Sequence, residues 1–222
     1  MTSYRSFAGG PFGSNLKSCD YTENVIPVIQ LNNITETYLD FSQRIIFTST
    51  KKADELKACN AFPNELIIAK MMPAGRACIS STLYSRYVLG SDAIRVSPDL
   101  SLTNLFFIRA QINSNRIKAY IRERTTGSTR QRIGIPELKK IPMFMPTKIE
   151  QDKIGNFVEL LELRIATQNK IIKERKTLIF LEYLMTIRRK LYGHQRDFQI
   201  MDGREEIICK GIYVFCILFA SY

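Results

Sequence analysis

The sequence predicts an α+β protein: a mixed α/β globular domain followed by one long α-helix of coiled-coil type. Three observations carry this expectation. Short apolar or alternating runs rich in β-branched residues recur through the first part of the chain. Two prolines then bracket the strap Ile141-Pro142-Met143-Phe144-Met145-Pro146 and forbid a helix before Thr147. Beyond Thr147 the pattern is helical to about residue 191 with no proline, and Gly155 is its only glycine.

The strands are expected at 25–31 (VIPVIQL), 43–49 (QRIIFTS), 65–71 (ELIIAKM) and 93–97 (AIRVS). Pro63-Asn64 enters the third of these and Pro73-Ala74-Gly75 leaves it, which is turn chemistry. From Leu102 the period becomes helical, with Ser101 or Thr103 as the expected opening cap. Asn113-Ser114-Asn115 interrupts it, and Ile117, Tyr120, Ile121 and Arg124 resume helical spacing. TTGST (125–129) is aperiodic and contains glycine, so it reads as a loop. Thr147 and Glu150 form a capping box, in which the hydroxyl accepts from the Glu150 amide and the carboxylate reaches back to the Thr147 amide.

Along the long helix a 4-3 row runs Ile154, Val158, Leu161, Ile165, Gln168, Ile172, Arg175, Ile179. This is a coiled-coil seam of about three heptads, with Gln168 and Arg175 as polar interruptions that can fix register. At 1.5 Å per residue such a helix is roughly 65 Å long, so its seam needs a partner. The organisation read from the chain is therefore a domain over 1–146, a helix over 147–191 and an apolar tail over 192–222. In that tail the apolar run after Lys210 is about twelve residues, short of the roughly twenty that span a bilayer, and no membrane association is expected.

The 222 residues carry 32 Lys and Arg against 21 Asp and Glu, a formal charge of +11. A basic excess of this size fits a polyanion partner. Nine of the cations fall between Arg109 and Lys140 (Arg109, Arg116, Lys118, Arg122, Arg124, Arg130, Arg132, Lys139, Lys140), where only Glu123 and Glu137 oppose them. The five cysteines (Cys19, Cys59, Cys78, Cys209, Cys216) form no C-x-x-C pair, which fits idle thiols in a reducing cytoplasm. With His194 as the only histidine, neither structural zinc nor a His-based triad is expected. Walker A, H-E-x-x-H and G-x-S-x-G motifs are absent, and no cofactor is expected.

One catalytic pattern has the right residue types. Pro98-Asp99 and Glu137-Leu138-Lys139 supply two carboxylates for a metal ion and a lysine to position water, as in a metal-dependent nuclease. Such short strings arise by chance, and Glu55-Leu56-Lys57 is another. The loop Thr126-Gly127-Ser128-Thr129-Arg130-Gln131-Arg132 is the stronger signal. Glycine permits close backbone approach, hydroxyls donate to phosphate oxygens, and the two arginines offer charge and bidentate contacts. Lys70 and Arg76 flank a turn and add to it. A third reading, a coiled-coil interaction module whose globular part binds protein, rests on the seam alone.

Taken in order, these strings resemble the specificity subunit of type I restriction-modification systems, over roughly residues 9–191. The carriers are FGSNLKSCDY (12–21) followed by IPVIQLNNI (26–34), the segment from Asn64 through Lys70 to Gly75-Arg76, the loop Gly127-Ser128-Thr129, and the strap with Glu150-Gln151-Asp152-Lys153-Ile154. Met145 stands where the family has the first proline of a pair, and glycine is missing before Glu65. The opening reads as short, as if a first strand were lost, and the tail after Gly193 does not follow the family. The resemblance implies a non-catalytic subunit that reads one half of a split double-stranded DNA target. It implies a spacer helix that docks methyltransferase subunits and, through them, restriction subunits. One recognition domain and one helix make a half-length form, and two copies can pair their helices as a homodimer. Phosphate contacts are expected from Lys118, Arg122, Arg124, Ser128 and Thr129. Arg130, Arg132, Lys70 and Arg76 are the candidates for base edges or phosphate.

Overall fold

The computed structural model describes residues 6–192 apart from 43, 72 and 127–130, with side chains as far as residue 187. The elements in chain order are β1 (Phe7–Gly9), β2 (Tyr21–Thr22), β3 (Ile26–Ile29), β4 (Ile46–Thr48), α1 (Thr50–Glu55), β5 (Asn60–Ala61), β6 (Leu66–Ala69), β7 (Ala77–Ile79), β8 (Tyr87–Leu89), β9 (Ala93–Val96), α2 (Leu105–Ile112), α3 (Asn115–Glu123), α4 (Ile135–Leu138) and α5 (Lys148–Tyr192). All four expected strands form. The opening strand does too: β1 pairs antiparallel with β9, which corrects the expectation of a lost first strand.

Two sheets result, ordered β1-β9-β6-β7 and β2-β4-β3-β8-β5. β6 is buried at every position because the sheet that holds it is covered on both faces. Ile67 and Ala69 point into a cluster with Ile29, Tyr87 and Leu89 of the second sheet. Leu66 and Ile68, alternating with them, pack instead on Ile112, Ile117 and Ile121 of α2 and α3 and on Ile133 and Leu138. The layers are therefore sheet, sheet and helices, with β6 and β9 in the middle.

The hairpin β6–β7 needs a glycine at its tip. Gly75 has φ +84, and a Cβ there would strike the Ile121 side chain. Helix α2 begins one to three residues later than the sequence implied. Its cap is Asn104, which accepts from the Phe107 amide at 3.1 Å, rather than Ser101 or Thr103. The carboxylate of Asp99 explains the difference, since it holds the Ser101 amide and hydroxyl in a preceding turn and Thr103 donates to the Asp99 carbonyl. Ser114 caps α3 as the interruption at 113–115 implied.

The chain divides into two compact units, 1–162 and 163–222. Within the first, the start of α5 is seated by polar contacts. The capping box is present: the Thr147 amide donates to Glu150 at 3.0 Å, and the Glu150 amide to the Thr147 hydroxyl at 3.4 Å. Gln151 is only 2% exposed. Its carboxamide accepts from the Asn104 amide at 3.2 Å and donates to the carbonyls of Leu102 (3.2 Å) and Pro146 (3.0 Å). Asn104 also donates to Asp152 at 2.9 Å. Gly155 is the contact surface for the same cap, because a Cβ there would overlap the Asn104 carboxamide.

Among the described residues the most deeply buried charged side chain is Arg109, 1% exposed. Its guanidinium donates to the carbonyls of Glu36 (3.3 Å) and Thr37 (2.9 Å) and to the Glu162 carboxylate at 2.5 Å. The sequence reading counts this arginine in the basic window from 109 to 140; the fold places it in the interior.

Within the second unit the described side chains of α5 are exposed apart from the half-buried Leu184 and Ile187, and the seam residues Ile165, Gln168, Ile172, Arg175 and Ile179 are among the exposed ones. Among the described residues no helix is long and apolar enough to cross a membrane. The apolar tail of the sequence reading lies outside the described residues, as do Cys209 and Cys216. Cys78 is buried, which pushes its thiol up to about 12. Cys59 is half-buried and Cys19 exposed.

Removing a buried charge partner is costly, because the group left behind stays desolvated. Arg109→Met is expected to destabilise the fold by about 3 kcal/mol, read from the urea midpoint. The Glu150 carboxyl is held below its ordinary 4.5 by the Thr147 hydroxyl and then the Thr147 amide. Its capping contribution is complete above 4.5 and fades as the pH falls through the depressed value. Glu150→Gln should remove that part of the acid-induced loss of helicity, followed by circular dichroism.

Candidate nucleic-acid interface

Three chain reversals meet at one end of the middle sheet: the β6–β7 turn (70–76), the β8–β9 turn (90–92) and the loop 125–134. Antiparallel pairing of β6 with β9, in register Ala69↔Ala93, brings the first two together. The Lys70 amide donates to the Asp92 carbonyl at 2.8 Å, and the Lys70 ammonium donates to the Ser91 carbonyl at 2.6 Å. The loop is tied to the same strand end, since the Ile133 amide donates to the Lys70 carbonyl at 2.9 Å. Its two limbs are closed by reciprocal Thr126 and Arg132 backbone bonds, each 2.9 Å.

Lys70 and Arg132, far apart in sequence, thus belong to one cluster. Arg132 pairs with Asp92 at 3.2 Å, and its Nε lies 3.3 Å from the Met71 sulfur. Half-burial is the main cause that pulls the Lys70 ammonium below its ordinary 10.5; Asp92 opposes this and Arg132 adds to it. The cluster is a partly desolvated pair of cations around one carboxylate. Such a site can hold an anionic oxygen or present a guanidinium fork.

The other candidates lie elsewhere. Arg76, at the far side of the hairpin tip, is half-buried and donates to the Leu31 carbonyl at 3.1 Å. Lys118 on α3 pairs with Glu36 at 2.6 Å. Arg122 is exposed on the same helix. Arg124 stacks on the Tyr120 ring, 3.5 Å from its centroid, and pairs with Glu123 at 3.3 Å. Gly127, Ser128, Thr129 and Arg130 lie outside the described residues.

The basic window from Arg109 to Lys140 is therefore less unbalanced than its composition. Three of its cations meet acids from outside the window: Arg109 with Glu162, Lys118 with Glu36 and Arg132 with Asp92. Sequence reasoning missed Ser91 and Asp92. The signal available was the Gly90-Ser91-Asp92 turn directly before AIRVS.

The nuclease candidates have local partners. Asp99 binds Ser101, Glu137 pairs with Lys140 at 2.7 Å, and the Lys139 ammonium lies 5.3 Å from the centre of the Phe7 ring. Glu137 sits in the short helix α4, as Pro136 implied. Among the described residues no group of three or more His, Cys, Asp or Glu side chains is placed to hold a metal ion. On the first-unit part of α5, the seam residues Ile154 and Leu161 are exposed and Val158 is half-buried.

The sequence model of the type I restriction modification DNA specificity domain matches residues 13–176, and the chain belongs to that family. Solved structures agree in fold. A chain from a type I R-M system, studied for complex assembly and conformational transition, superposes with a TM-score of 0.60 at 13% identity, over 85% of this chain and 44% of that one. The HsdS subunit from Thermoanaerobacter tengcongensis gives 0.50 at 15% identity, over 74% of this chain and 36% of that one. The type I S subunit from M. genitalium gives 0.50 at 17% identity, over 85% and 45%. The chain spans less than half the length of each. No curated protein matches its sequence.

The Lys70 shift has a signed consequence. Between its depressed folded value and 10.5 the unfolded chain binds more protons, so stability gains from Lys70 as the pH rises through that window. Lys70→Met should remove the gain, seen as a smaller difference between urea midpoints at neutral pH and near 10.5.

Proposed function

We propose that this chain is a DNA sequence-recognition subunit of a type I restriction-modification complex, with no catalytic site of its own, reading one half of a split double-stranded target. The observation that carries this reading is the family match over 13–176, which takes in the two-sheet domain apart from β1 and more than half of α5. The cluster of Lys70, Arg132 and Asp92, with the loop that closes at Thr126 and Arg132, is the proposed contact surface. Arg122 and Arg124 on α3 add phosphate contacts, together with Lys118, which would exchange Glu36 for phosphate. Gly127, Ser128, Thr129 and Arg130 are further candidates for contact with DNA, and Arg76 braces the hairpin through the Leu31 carbonyl. Phosphate contacts fix position and base-edge contacts carry sequence.

In this reading α5 docks methyltransferase subunits and, through them, restriction subunits. Exposure of Ile154, Leu161, Ile165, Ile172 and Ile179 supports a second copy as the partner of the seam. Two copies related by a two-fold axis would present two identical readers to a symmetric split target. The compartment would be the cytoplasm, where host DNA and the partner subunits meet.

The test is co-expression with the methyltransferase subunits of the same source, followed by mapping of methylated adenines. A stable complex and methylation at a split, palindromic motif are expected; a complex without sequence-specific methylation would refute the reading. On purified protein, Arg122 is the simplest probe of a phosphate contact, because its side chain is exposed. Arg122→Ala should weaken binding to all duplexes alike and lower the salt slope by about one.

A further inference from the structure

Asp92 is an anion in a surface that the reading above assigns to a polyanion. An aspartate there repels phosphate, so it lowers affinity for every sequence. Its surroundings show what it does instead. The Asp92 backbone is fixed by the Lys70 amide at 2.8 Å, and its carboxylate accepts from the Ser91 hydroxyl at 3.2 Å. The other oxygen faces the Arg132 guanidinium at 3.2 Å. Asp92 is the more buried partner, with its side chain 22% exposed against 53% for Arg132.

Arg132 is held from three directions. Its backbone is closed onto Thr126, its Nε meets the Met71 sulfur at 3.3 Å, and a terminal nitrogen meets Asp92. A free arginine at a surface has many rotamers and gives up that freedom on binding. One clamped by a carboxylate presents the remaining donors of its planar fork in a set direction, which bidentate recognition of a guanine edge requires and a phosphate contact does not.

We propose that Asp92 is a positioning residue for base readout: it orients the Arg132 guanidinium toward a base edge and repels backbone phosphate, raising discrimination at one base pair while lowering overall affinity. The inference rests on the DNA-recognition reading and assigns a residue that acts through Arg132.

Methylated-adenine mapping with the co-expressed methyltransferase subunits tests it, using the wild-type chain, Asp92→Asn, Asp92→Glu, Arg132→Ala and the Asp92→Asn/Arg132→Ala double variant. Asp92→Asn and Arg132→Ala should relax the same single position, with discrimination there down about tenfold, within the range for one mismatched pair. Asp92→Glu should keep the motif, and the double variant should relax no further than Arg132→Ala. Purified Asp92→Asn should bind a scrambled duplex more tightly than wild type. An unchanged motif in Asp92→Asn, relaxation at a position that Arg132→Ala leaves fixed, or an equal fall in binding to target and scrambled duplex would each overturn the proposal. A wild-type chain that directs no methylation at any motif would instead sink the underlying reading, and that outcome appears before any variant is compared.

Discussion

A buried guanidinium governs how this molecule is put together. Arg109 comes from α2, the carbonyls it satisfies belong to the segment after β3, and the carboxylate it meets belongs to α5. Three stretches distant in sequence are joined by one side chain almost wholly out of water. Burying that charge is unfavourable unless each partner is in place. The contact is therefore a geometric condition as much as a source of stability. At the first turns of α5 the seat is likewise geometric: Gln151 and Asp152 each bond to Asn104, and Gly155 leaves room for the Asn104 carboxamide.

The three-layer arrangement explains why the cationic cluster forms where it does. β6 and β9 are central and buried, so their ends are fixed by the packing of both cores. Lys70 and Asp92 continue directly from those ends, and the loop bearing Arg132 is bonded to the same backbone. Side chains that are partly solvated thus inherit the precision of strands that are not. α3 carries further cations, of which Lys118 and Arg124 already have acidic neighbours.

Much of this was legible in the sequence, for identifiable reasons. The four strands expected from sequence lie in apolar or alternating runs of five to seven residues bounded by turn or polar residues, and α2, α3 and α5 have enough turns to show a period. The strands without such a run, β1, β2, β5, β7 and β8, are two or three residues long and have no period to display. The cap of α2 was misplaced because Asp99 competes for the nearby serine and threonine through contacts that no helix pattern encodes. Charge was the least legible property. Counting acids within a window of sequence overlooked Glu36, Asp92 and Glu162, which reach its cations only through the fold. Gln151 belongs to the string that resembles the family's, and its burial against Asn104 gives that string a mechanical meaning.

The residues that seat α5 and those that cluster at the strand ends have no member in common. Asn104, Arg109, Gln151, Gly155 and Glu162 make up the first group, while Lys70, Asp92 and Arg132 make up the second. Mutation can therefore explore the strand ends and the loop beyond them without disturbing the joint to the helix. In a chain built this way the reading end and the fitting that carries the helix are mechanically separate parts.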